Sequence, residues 1–168
     1  LEDLKLEITH YQGIVIRSKI KLTKDILETC KSLKFIARAG SGLENIDIKA
    51  AEFLGIEVIS SPEGNRDAVA EHAMGMLLML MNNLKRADQE VRKGVWLRAE
   101  NRGFELKGKT IGLIGYGVMG KAFAKRLKGF GINIIAYDKN KTLFSDDAVK
   151  EVSLNKLQAE ADIISLHM

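Results

Sequence analysis

Three observations predict an α/β protein built on parallel sheets. Short apolar runs with strand character alternate with helical patterns over the first sixty residues. A polar break at residues 61–65 ends that series, and a glycine-rich turn at residues 115–120 stands between a second buried strand and a helix. Strands that alternate with helices are joined by crossovers, and crossovers make neighbouring strands parallel.

In order along the chain, Leu1, Leu4 and Ile8 share one face of an opening helix. Residues 13–18 read as a buried strand, Thr23 caps a helix that ends near Ser32, and residues 33–38 form a second strand. Asp47 is a good N-cap for a helix over residues 48–54, which Gly55 ends, and residues 56–60 give a third strand. Ligands of such sheets bind beyond the carboxyl ends of the strands, which here carry Arg17, residues 38–42 and residues 61–66.

The break around Pro62 and Gly64 reads as a hinge, so the chain divides into residues 1–64 and 65–168. Asp67 starts a long helix running through about Lys93. Its stretch from Ala73 to Met81 holds four of the six methionines before Asn82, Asn83 and Lys85 stop the apolar run. A bilayer span needs about 20 apolar residues, so this one is too short. A helix apolar on all sides must be covered on all sides, by its own domain or by a second subunit. Within it His72, beside Glu71, reads as a core histidine with its hydrogen bonds satisfied. An irregular polar piece containing Trp96 follows, and Lys107, Gly108 and Lys109 lead into the strand at residues 110–114.

Composition narrows the function classes. With 168 residues, 46 % hydrophobic, 29 % charged and a single proline, the chain has the balance of an ordered globular protein. One cysteine, Cys30, excludes an internal disulfide; its helical spacing from Ile26 and Leu27 marks a packed thiol, and a cytoplasmic protein is expected. The net charge of +4 is spread over helix faces without interleaved aromatics. That pattern argues against nucleic acid and suits an anionic small substrate with an anionic dinucleotide. Neither a membrane partner nor a metal site is expected.

Gly115, Gly117 and Gly120 carry the chemistry. The first allows a tight turn, the second lets backbone approach a pyrophosphate, and the third lets helix and strand pack closely, while free amides at the helix start attract the anion. A second strand at residues 132–137 ends in Asp138, eighteen residues beyond Gly120. An acid at that spacing accepts hydrogen bonds from a ribose diol and repels a 2′-phosphate, which favours NAD over NADP. A bare glycine-rich turn capped by an aspartate is the alternative.

Taken together, Ile14 to Ser18, Arg38 to Asp47, Pro62 to Asn65, Val69 to His72, Lys93 to Trp96 and Glu105 to Thr110 resemble the D-isomer-specific 2-hydroxyacid dehydrogenases, most of all their phosphoglycerate-directed branch. The resemblance covers essentially the whole chain. It implies a flavodoxin-like portion of a substrate-binding domain over residues 1–64. It implies the first half of a Rossmann NAD-binding domain, with the long crossover helix and a two-fold subunit contact, over residues 65–168; a homodimer or higher homo-oligomer is therefore expected.

By the same resemblance Ala39, Gly40 and Ser41 cradle the substrate carboxylate, and Arg17 with Arg38 meets a phosphate, which guanidinium forks bond bidentately. Asn65 is either a turn residue or a substrate contact. Ser41, Val118, Met119, His167 and Met168 join the glycines and Asp138 around the cofactor. Val118 departs from the family pattern, which commonly has a basic residue there. The implied reaction is NAD-linked oxidation of D-3-phosphoglycerate to 3-phosphohydroxypyruvate, at the entry to serine synthesis. Its His base, with a Glu and an Arg, is expected beyond Met168, so none of the residues present is expected to be catalytic, His167 included, and this segment alone is expected to be inactive. Glyoxylate-, hydroxypyruvate- or lactate-directed enzymes, an NAD-sensing binding module and an inert oligomerising fragment are the alternatives.

Overall fold

The computed structural model describes residues 7–168, in two compact units that meet in sequence at Asn65 and Arg66. Leu1 and Leu4 of the expected opening helix lie outside the described residues; Ile8 is buried in the first unit.

The first unit is a three-stranded parallel sheet with a helix in each crossover. Strand β1 (Gly13–Ile16), helix α1 (Lys24–Thr29), β2 (Phe35–Arg38), α2 (Ile48–Phe53) and β3 (Glu57–Ser60) follow one another, and the strand order is β1-β2-β3. Register explains the burial. The rows Ile14–Ile36–Val58 and Ile16–Arg38–Ser60 share one face with Leu22, Leu27, Ala51 and Ile56, while the row Val15–Ala37–Ile59 leaves Val15 and Ile59 exposed. Two-residue alternation thus turns one face toward the helices. Asp47 Oδ1 accepts from the Ala50 amide at 3.0 Å, the bond an N-cap makes with the third helical residue. Helix α1 stops at Thr29 rather than near Ser32, because Cys30 leaves helical geometry (φ −87°, ψ 69°); its buried thiol donates to the Ile26 carbonyl at 3.2 Å.

A short 3₁₀ turn (Pro62–Gly64) leads to the second unit, which holds α3 (Arg66–Met81), α4 (Leu84–Arg92), β4 (Thr110–Ile114), α5 (Val118–Leu127), β5 (Asn133–Tyr137), β6 (Val149–Glu151), α6 (Leu154–Glu160) and β7 (Ile163–Leu166). The sheet is parallel throughout and ordered β6-β5-β4-β7. The chain builds outward from β4 through β5 and β6, then crosses back to lay β7 on the other side. Ile111, Leu113 and Ala136 are buried with Phe123 and Leu127 of α5 and with Ala70 and Leu77 of α3. Ile135, Val152 and Leu157 pack as a separate cluster. Covering on both faces is what near-continuous apolar strands such as β4 require.

Two expectations for the long helix need correction. It is not continuous to Lys93: Asn83 takes a left-handed conformation (φ 54°), which asparagine tolerates better than most side chains. The carbonyl of Met81, released by the break, accepts from the Phe104 amide at 2.9 Å, and Asn83 Nδ2 donates to the Arg102 carbonyl. The apolar stretch of the helix is not covered by its own unit alone, since Met76, Met79 and Leu80 remain exposed in the chain, which leaves the second-subunit alternative open. His72 is likewise exposed and not a core residue. On its packed side α3 is tied to α5 by Arg126, whose Nη2 reaches Asp67 at 2.9 Å and Glu71 at 3.1 Å.

Gly112 explains how closely α6 approaches the sheet: a Cβ there would stand 2.6 Å from Leu157 Cδ2 and 3.0 Å from Ala161 Cβ. Leu157 is fully buried, so Leu157→Ala is expected to lower unfolding free energy by about 2–5 kcal/mol, read by urea denaturation. A loss below about 1 kcal/mol would mean that α6 collapses onto the sheet and refills the space.

Candidate functional site

The order β6-β5-β4-β7 makes the carboxyl end of β4 a topological switch point, because chain connections leave it toward opposite sides. A crevice forms there in open parallel sheets. The glycine-rich turn occupies that position.

Each glycine has a distinct physical reason. Gly115 lies at φ 95°, and a Cβ on it would run into the carbonyl of His167, far inside van der Waals contact. A Cβ on Gly120 would collide with the carbonyl of Gly115 in the same way. Gly117, by contrast, faces open space, with no atom within 4 Å of where its Cβ would stand. Two glycines therefore let backbone touch backbone, and the middle one leaves a vacant approach to the turn. Gly117 is the N-cap of α5 and makes no side-chain capping bond; the Lys121 amide is bonded to its carbonyl at 3.1 Å. Amides of the residues between have no helical acceptor, and the partial positive charge of the helix start adds to them. This arrangement fits a pyrophosphate. Val118 and Met119, the first residues of α5, bring no charged side chain to it.

Asp138 follows β5, the neighbour of β4. Its Oδ2 accepts from the Tyr116 amide at 2.8 Å and its Oδ1 from the Asn140 amide at 2.9 Å. The Asn140 amide, then the Tyr116 amide and Lys141, hold its carboxyl below the usual range against the opposing desolvation. The residue placed by sequence spacing to meet a ribose is thus also the clamp between two loops. The Tyr116 ring is buried and stacked on Phe144 at 4.9 Å, and neither aromatic was singled out from the sequence. Phe144 belongs to a segment without strand or helix periodicity, so only its aromaticity could have drawn notice.

His167 closes the other side. Its amide donates to Ile114 at 2.8 Å, its ring lies 5.2 Å from Phe123, and Nε2 is 3.0 Å from Ser165 Oγ. Burial pushes its pKa below the ordinary 6.5. Met168 beside it is exposed. Gly115, Gly117, Gly120, Asp138 and His167 are brought together at the carboxyl ends of β4, β5 and β7.

The second group lies in the first unit. Arg38 is 9 % exposed; Nη1 donates to the Ala39 carbonyl at 2.8 Å, and Nε has no partner. Gly40 (φ 146°) makes room for it, since a Cβ there would stand 2.8 Å from Nη1. In the expected cradle the Ala39 amide donates to the Ile16 carbonyl and the Gly40 amide to the Arg38 carbonyl. Ser41 is the remaining member and is exposed. Arg17, one residue beyond the Ile16–Arg38 pairing, is exposed, and no bond joins it to Arg38. Asn65 is exposed at the end of the 3₁₀ turn. Among the described residues no group of three or more His, Cys, Asp or Glu could hold a metal ion, and no helix is long and apolar enough to cross a membrane.

Residues 74–168 match the family model of the D-isomer specific 2-hydroxyacid dehydrogenase NAD binding domain. A hydroxypyruvate reductase of Thermotoga maritima is 44 % identical over 167 residues, which is 99 % of this chain and 54 % of the relative. A D-3-phosphoglycerate dehydrogenase of Archaeoglobus fulgidus is 40 % identical over 169 residues, 99 % of this chain and 32 % of the relative. The solved D-lactate dehydrogenase from Aquifex aeolicus, complexed with NAD and lactic acid, superposes with a TM-score of 0.87 at 31 % identity, covering 98 % of this chain and 50 % of that one. The chain thus spans about a third to about half of the length of these proteins.

The glycines make separable predictions. Gly117→Ala is expected to keep ligand-free stability within about 0.5 kcal/mol and to lose the rise in melting temperature that NADH gives, whereas Gly120→Ala melts lower without any ligand. Differential scanning fluorimetry checks both, and a Gly117→Ala chain still stabilised by NADH would rule out the vacant approach as the pyrophosphate seat. For His167 the folded pKa is depressed, so the unfolded chain takes up the proton first. Stability should fall as pH drops through about 6.5 and continue falling until the folded state also protonates. His167→Gln should flatten that limb in a series of denaturation curves.

Proposed function

The chain belongs to the D-isomer specific 2-hydroxyacid dehydrogenase family, and on that premise we propose that the whole protein oxidises D-3-phosphoglycerate to 3-phosphohydroxypyruvate with NAD, a reaction that feeds serine synthesis. The observation that carries the oxidoreductase reading is the vacant Gly117 face at the switch point, flanked by Asp138 and His167. NAD, when bound, supplies the hydride acceptor. The residues of this chain bind and orient: α5 amides take the pyrophosphate, Asp138 takes the ribose, and the His167–Met168 backbone borders the far end. None of the residues present is assigned the proton transfer, so the roles read here for this chain are binding and orientation.

Arg38 supports an anionic substrate. A buried guanidinium with an unpaired Nε carries a desolvation cost that an incoming anion would relieve. With exposed Arg17, at the end of the adjacent strand, it would meet the phosphate, while Ser41 would hold the carboxylate end. Residues 1–64 then serve as the substrate-binding portion, of flavodoxin-like type, and residues 65–168 as the first half of a Rossmann unit. Exposed Met76, Met79 and Leu80 on α3 and Trp96 beyond α4 favour a homodimer or larger homo-oligomer, acting in the cytoplasm. The second reading is an unphosphorylated substrate such as hydroxypyruvate, favoured by the 44 % identity to the Thermotoga maritima reductase.

Arg17→Glu in the whole protein separates the two readings. Loss of a charged hydrogen bond is worth about 1.5–3 kcal/mol, so kcat/KM for D-3-phosphoglycerate should fall about 10- to 100-fold while turnover of hydroxypyruvate holds. Equal values for variant and wild type on both substrates would remove the phosphate role and leave the hydroxypyruvate reading.

A further inference from the structure

We propose that Lys121 supplies the side-chain cation for the dinucleotide's phosphates, a role that neither the glycine turn nor Asp138 provides; the inference rests on the dinucleotide reading of that turn. Turn and first helical positions bring no positive side chain: residues 115–120 are Gly, Tyr, Gly, Val, Met and Gly. Helix-start amides contribute about half an elementary charge, against roughly two on a pyrophosphate. Lys121 is the next residue, and its amide is bonded to Gly117 within α5. The unpaired amides of Val118, Met119 and Gly120 lie in the turn immediately before it.

Helical side chains lean toward the N-terminus and cover the preceding turn, so Lys121 reaches back over these amides and not away from them. The structure records that reach. Its Nζ stands over the Tyr116 ring, 5.7 Å from the centroid, and Tyr116 adjoins the vacant Gly117 face. Stacking on Phe144 and the bond from its own amide to Asp138 hold Tyr116 in place, so the ring is a fixed platform for the ammonium. A cation over an aromatic face at an exposed site gains modestly, so the ammonium is held near the turn yet is free to move onto an anion. Among the described residues no carboxylate pairs with Lys121. Lys125, one turn further along the same helix, points over Lys121's own turn and not over the glycine turn, which makes it the matched control.

Isothermal titration of the chain with ADP-ribose and with adenosine tests the assignment at low and at raised ionic strength. Lys121→Met keeps the aliphatic stem and removes the charge. It should weaken ADP-ribose binding about tenfold at low salt, reduce the salt dependence of that binding, leave adenosine affinity unchanged and leave the melting temperature unchanged. Lys121→Arg should restore most of the loss, and Lys125→Met should show none. If wild type binds ADP-ribose and Lys121→Met binds it equally, or if adenosine affinity falls in parallel, Lys121 is not the phosphate cation while the glycine-turn site stands. If wild type binds neither compound, the dinucleotide reading itself fails and the role of Lys121 with it.

Discussion

Backbone contact without side chains at the carboxyl end of β4 is the constraint on which the second unit depends. Gly115 lies against the His167 carbonyl and Gly120 against the Gly115 carbonyl, so two places where strand, helix and returning strand meet admit no Cβ. The bonds from Gly115 to Tyr137 and from His167 to Ile114 continue the sheet into that junction. Because α5 starts this close to β4, its unpaired amides open onto the switch point, and Gly117 keeps the approach to them clear. Architecture and binding capacity therefore have one cause. A larger residue at either contact would move the helix start away from the carboxyl end of β4, where the strand order reverses.

Electrostatics at this end are divided between backbone and side chains. Helix-start amides present positive partial charge, Asp138 presents negative charge one strand away, and burial disfavours the charged form of His167. Asp138 does two jobs with one carboxylate, since its oxygens already accept from Tyr116 and Asn140 while lone pairs remain on each for a hydroxyl. That economy would link any hydroxyl bound at Asp138 to the conformation of the glycine turn. In the first unit Arg38 shows a different logic: a nearly buried guanidinium, only partly satisfied, in a chain segment whose Gly40 exists to accommodate it.

The apolar helix α3 shows how one sequence feature can serve two surfaces. Ala70 and Leu77 are buried, with Ala73, Met74, Leu78 and Met81 packed partly against the same core, and Arg126 clips the helix to α5 through Asp67 and Glu71. Met76, Met79 and Leu80 remain outside that core. Single exposed apolar side chains are ordinary, whereas several on one helix mark a candidate interaction surface. The break at Asn83 then turns the chain so that α4 can carry its charges into water, with Arg92 paired to Asp88.

Local chemistry made much of this legible without coordinates. Strands β1 to β5, the Asp47 cap and the three glycine roles follow from periodicity, side-chain capping and the absence of Cβ, all of which act over a few residues. The strand β6 and helix α6 are not legible in the sequence: β6 is only three residues long, and Leu157 of α6 matters only through Gly112 on a distant strand. Exposure of His72, the left-handed Asn83, the occupied amides of Ala39 and Gly40, and the Tyr116–Asp138 bond are likewise decided by partners far away in sequence. Sequence alone determined which residues could turn, cap and attract an anion. Only the tertiary structure decided which of them meet, because hydrogen-bond partners and steric neighbours are set by how strands are ordered in the sheet, and that order is a property of the whole chain.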